Sequence, residues 1–197
     1  MKIQKNAEYL YQLNGILEVF GWTMWYDWNV VKRHTKIINI ILAIITVIVA
    51  FSTREYLVAS GVSNLFISLF LALLVWLIII TPIHEILHLL PLSGFKLGKR
   101  CVISIGKGTV SAIYNGETSK LKQCVSIILP VTVLTIILSL ILLFAGSQIR
   151  IFLIFLLVLN IYGSFTDIYM LFYFMKRVRK NDRVFGPYRK EPVKWTN

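Results

Sequence analysis

Charge is scarce in this sequence, and negative charge is scarcer. Charged residues make up 15% of the 197, with nine acidic side chains against 21 Lys and Arg, where a soluble domain carries about 25% charge. So little polar surface excludes an ordinary water-soluble fold, and the 57% hydrophobic content and mean hydropathy of +0.73 point the same way. Cysteine is nearly absent: Cys101 and Cys124 fall in one interhelical loop, and two at that spacing make neither a disulfide framework nor a zinc ribbon. A cleavable leader is not expected, because the first apolar run follows a segment, 1–36, that contains Glu8, Glu18 and Asp27. No repeat or low-complexity tract occurs.

What is abundant is long apolar sequence. Runs at Ile37–Ser52, Leu65–Leu92, Val125–Ala145 and Ile151–Phe174 compare with the roughly 20 residues a helix needs to cross hydrocarbon. The expectation is an all-α integral membrane protein with four transmembrane helices, the first run being short unless Thr53 and its neighbours extend it. The chain reads as one membrane-embedded domain over 1–197: an interfacial or cytoplasmic segment 1–36, a four-helix core 37–175 and a basic tail 176–197.

Basic residues set the topology. Five Lys and Arg precede the first span, Arg54 is alone in the first loop, six lie in the second loop, Arg150 is alone in the third, and eight lie in the tail. Positive charge marks the cytoplasmic side, so both termini and the second loop are expected there; the Ile-, Lys- and Asn-rich composition without an organelle address suits a bacterial cell membrane. Trp22, Trp25, Tyr26 and Trp28 suit an interfacial belt. The net charge of +12 is therefore topogenic, and no nucleic-acid partner is expected. In the second loop, Cys101–Ile105 and Thr109–Tyr114 are β-prone runs around Gly106-Lys107-Gly108, a short β-hairpin between helices 2 and 3. Gly106-Lys107-Gly108-Thr109 lacks the glycine spacing of a phosphate loop.

Only four ionisable groups stand well inside the predicted spans: His84, Glu85 and His88 in the second, and Asp167 in the fourth. At membrane depth such groups are retained only with partners. His84 and His88, four apart, share a helix face and can offer imidazole nitrogens to one metal ion at about 2.0–2.1 Å. Glu85 is turned by about 100° from His84, beside the metal rather than on it, where it can accept a proton as general base. A catalytic zinc needs a third protein ligand and an open fourth position, and Asp167 is the remaining intramembrane candidate. Counted along their helices, His84 and Asp167 lie about 28 and 24 Å from the outer end, both in the cytoplasmic half. Asn160 and Ser164 precede Asp167 on the same face of a continuous helix, and Asn160 suits either an oxyanion donor or interhelical packing. A metal-free His–Glu network and a proton pathway are the competing readings; clustering at one depth argues against the pathway.

His84-Glu85-Ile86-Leu87-His88, the β-prone loop after it and the Asn160-to-Asp167 segment resemble the site-2 protease class of intramembrane zinc metalloproteases. More narrowly, over roughly 65–185, the chain is similar to a small bacterial domain-of-unknown-function family, the putative zincin peptidases, in which a proline such as Pro130 also follows the loop early in the third helix. Relative to the larger proteases, Gly163 and Ser164 stand where a proline is usual, and Ile168 follows Asp167. The resemblance implies Zn²⁺ on His84, His88 and Asp167, with Glu85 as catalytic base. The expected activity is hydrolysis of a membrane protein or peptide substrate, in or next to the bilayer, through a zinc-activated water. The alternative is a non-catalytic zinc-binding membrane protein with a regulatory or immunity role.

Overall fold

The computed structural model describes residues 2–5, 23–24, 33–34, 36–37, 40–41, 44, 62–106, 109–185 and 188–190. The described residues between 33 and 44 are helical, and the rest of the first apolar run lies outside the described residues. Helices dominate, since a backbone in hydrocarbon must pair its own N–H and C=O groups. They are α1 (Val62–Val75), α2 (Thr81–Leu92), α3 (Lys120–Phe144), α4 (Ser147–Gly163) and α5 (Phe165–Arg177). Among the described residues three helical stretches are long and apolar enough to cross a membrane, Phe66–Leu92, Lys120–Phe144 and Ile149–Arg177. Large apolar side chains point outward along them, Phe66, Ile78 and Phe144 at 70%, 69% and 88% exposure. Water would not tolerate such a surface, and lipid matches it. The chain is a membrane protein.

Two spans depart from unbroken α-helix. Trp76–Ile80, between α1 and α2, is π-helical, and the Thr81 N–H and hydroxyl both donate to the Trp76 carbonyl. Pro82 follows directly; it has no N–H for the Ile78 carbonyl and its ring crowds it, and the wider turn absorbs that mismatch. Pro91 lies inside α2, one residue before its end. The helix stops in a Schellman turn, with Gly94 at φ 65° and the Phe95 N–H on the Leu90 carbonyl at 2.7 Å. The last span breaks at Ser164, between α4 and α5, where the Ser164 N–H and hydroxyl both turn back to the Asn160 carbonyl.

Two small sheets accompany the helices, where sequence patterning predicts one hairpin. Strands β3 (Cys101–Gly106) and β4 (Thr109–Tyr114) pair antiparallel from Cys101↔Tyr114 to Gly106↔Thr109. Strand β1 (Lys2–Lys5) adds in parallel to β3, giving the order β1-β3-β4. The second sheet runs β2 (Thr23–Met24), β7 (Tyr188–Lys190), β6 (Arg183–Phe185), β5 (Thr118–Ser119).

The chain divides into two compact units. The first comprises Met1–Asp27, Pro82–Pro130 and Asp167–Asn197. In it Leu89, Cys101 and Ile103 form a buried cluster flanked by Ile86, Val110 and Ala112, which seats the hairpin on α2. Ile127, Phe174, Val178 and Val184 form a second cluster that joins α3 to α5 and the tail sheet. Lys120 donates to the Met175 and Val178 carbonyls at the end of α5, where a cation suits the helix dipole. The second unit, Trp28–Thr81 with Val131–Thr166, packs α1 on α4. Gly163 is required there: a Cβ at this position would stand 2.6 Å from the Trp76 ring.

Candidate metal centre

His84, Glu85, His88 and Asp167 all lie in the first unit. Two helical positions four apart project the same way, and the rings of His84 and His88 meet edge to face with centroids 4.8 Å apart and Nε2 atoms 3.2 Å apart. Asp167 stands in the first turn of α5, where the helix N-terminus favours an anion. Its Oδ2 is 2.9 Å from His84 Nε2 and 3.5 Å from His88 Nε2. The triangle is therefore 2.9, 3.2 and 3.5 Å on its edges. Ligands about 2.0–2.1 Å from a tetrahedral zinc stand about 3.3–3.4 Å from one another. Two imidazoles and a carboxylate at this spacing are a donor set and a size that fit one zinc ion.

Glu85 lies beside this triangle. Ligand atoms of His84, Glu85 and His88 fall within 4.8 Å of one another, which makes Glu85 the alternative third ligand. Asp167 lies closer to both rings, and Glu85 Oε2 is engaged elsewhere, accepting the Ala112 N–H at 2.6 Å. On geometry Asp167 suits the ligand position and Glu85 a neighbouring one. The side chains of His84, His88 and Asp167 are 13%, 16% and 25% exposed, enclosed but still reachable.

The His88 ring is oriented from behind. Its Nδ1 lies 2.7 Å from the Ser126 carbonyl, an oxygen that can only accept, so Nδ1 carries the hydrogen and the neutral ring leaves Nε2 bare for a metal. The Ser126 hydroxyl donates to the His88 carbonyl at 2.6 Å, tying α3 to α2 a second time. Ser126 and Ala112 escape motif reading, because each acts through its backbone. The one sequence signal near them is Pro130, four residues after Ser126.

Asn160 belongs to the second unit. Its Nδ2 donates to Thr135 Oγ1 at 3.2 Å, and its buried Oδ1 has no hydrogen-bond partner among the described residues. Ser164 separates α4, which carries Asn160, from α5, which carries Asp167.

Residues 77–181, more than half of the chain, match the model of a protein family described as Putative zincin peptidase. No curated protein and no solved structure matches the chain.

Proposed function

The chain belongs to that putative zincin peptidase family, and from this membership we propose that it is an intramembrane zinc metallopeptidase, hydrolysing a peptide bond in or next to the bilayer. The observation that carries the reading is the meeting of His84 Nε2, His88 Nε2 and Asp167 Oδ2 within 3.5 Å of one another, on helical stretches apolar enough to cross a membrane. Zinc held by these three would supply a Lewis acid for the scissile carbonyl and lower the pKa of a bound water towards about 7. Glu85 accepts the proton of the attacking water and passes it to the amide nitrogen as the C–N bond breaks. The Ala112 N–H steadies the Glu85 carboxylate in that role.

Substrate enters as an extended strand, because the amides of a membrane helix are internally paired and shielded. The order β1-β3-β4 makes β4 an edge strand, and Ala112 of β4 already reaches Glu85. A strand added to that edge would bring its backbone to the site. The test uses the full chain in proteoliposomes with a panel of single-span membrane peptides, products being read by mass spectrometry. Cleavage should stop with 1,10-phenanthroline and return with Zn²⁺; cleavage indifferent to chelation would count against the proposal.

A further inference from the structure

In an α-helix the N–H of residue 130 would bond to the carbonyl of residue 126. Residue 130 is proline, inside α3 and fully buried, and it has no N–H to give. The Ser126 carbonyl is thereby released from its helical donor in a buried setting, where an unpaired oxygen is costly. That same oxygen receives the His88 Nδ1–H, at a distance short for an N–H···O bond.

We propose that Pro130 is a positioning residue for the metal centre: by withholding an N–H from the Ser126 carbonyl, it leaves that oxygen to hold the His88 ring with Nε2 bare and facing His84 and Asp167. The inference rests on the zinc reading above and adds to it a residue that touches neither metal nor substrate. An alanine at 130 restores the helical donor, which shares the carbonyl and draws it back along the helix axis, weakening its bond to His88. The freed ring can then take its other tautomer, with the hydrogen on Nε2, and must give it up before binding metal. Loss of a bond of this kind costs about 10- to 100-fold in metal affinity. Restoring a helical bond also makes α3 a better helix, so the affinity falls without a matching loss of fold.

The test compares the full-length wild type, Pro130→Ala, and a variant with lactic acid at position 130, which removes the ring but, as an ester, still has no N–H. Zn²⁺ affinity is measured by chelator competition. The His88 tautomer of the metal-free protein is read from imidazole ¹⁵N shifts. The wild type should show hydrogen on Nδ1; Pro130→Ala should lose about tenfold or more in affinity and populate hydrogen on Nε2; and the ester should restore both values. Equal affinity and tautomer in wild type and Pro130→Ala would overturn the positioning role and leave the zinc reading standing. A metal-free wild type with hydrogen on Nε2 would overturn the role even if the variants failed to fold. A wild type that binds no Zn²⁺ would overturn both.

Discussion

Substituting Glu85→Gln separates chemistry from architecture at this site. Glutamine keeps the length and one carbonyl oxygen of glutamate, so the 2.6 Å bond from the Ala112 N–H retains an acceptor, and the hairpin stays seated through Leu89, Cys101 and Ile103. What is lost is the capacity to take a proton. General-base catalysis contributes about 10²- to 10⁴-fold, or about 2.7–5.4 kcal/mol at about 1.36 kcal/mol per factor of ten. The variant should therefore cleave membrane peptides at least about a hundredfold more slowly, with an unchanged melting curve and undiminished zinc content. Activity within tenfold of wild type would refute the assignment of Glu85 as base. Loss of zinc together with activity would refute it differently, making Glu85 a ligand in place of Asp167.

Gly163→Ala places a methyl carbon 2.6 Å from Trp76 Cζ2 and should destabilise the protein by about 1–3 kcal/mol; thermal unfolding in detergent measures it, and adding Trp76→Leu should recover part of the loss. Asn160→Ala breaks the bond to Thr135 at about 0.6–1.7 kcal/mol, the range for polar contacts between membrane helices; if its role is packing, cleavage stays within a few-fold of wild type, whereas a loss above a hundredfold assigns it to the oxyanion. A single cysteine at Lys99, in the loop between α2 and α3 that holds four basic residues, should react with an impermeant maleimide only from the cytoplasmic side, and labelling from outside would invert the topology.

The legible parts of this protein were those governed by short-range periodicity. Four-residue spacing on one helix suffices to predict that His84 and His88 face together, and their Nε2 atoms stand 3.2 Å apart. The apolar runs predict spanning helices by length alone, and three such stretches occur among the described residues. The break at Ser164 was less legible: no proline marks it, and Gly163-Ser164 also reads as ordinary helix packing. The second sheet joins strands of two or three residues that lie far apart in the chain, Thr118 to Val184 and Thr23 to Arg189, and so short an alternation carries no local signal. The groups that orient the site were the least legible. The Ser126 carbonyl and the Ala112 N–H are backbone atoms common to every residue type, and only the tertiary fold selects them.

The central claim is that His84, His88 and Asp167 hold one metal ion, and zinc content of the purified protein tests it most directly. Wild type, His84→Ala, His88→Ala and Asp167→Ala are each saturated with zinc, dialysed against a weak chelator and assayed by inductively coupled plasma mass spectrometry. The wild type should retain about one zinc per chain, and each variant should lose it while keeping its helical circular dichroism. Asp167→Ala retaining zinc as firmly as the wild type would contradict the account.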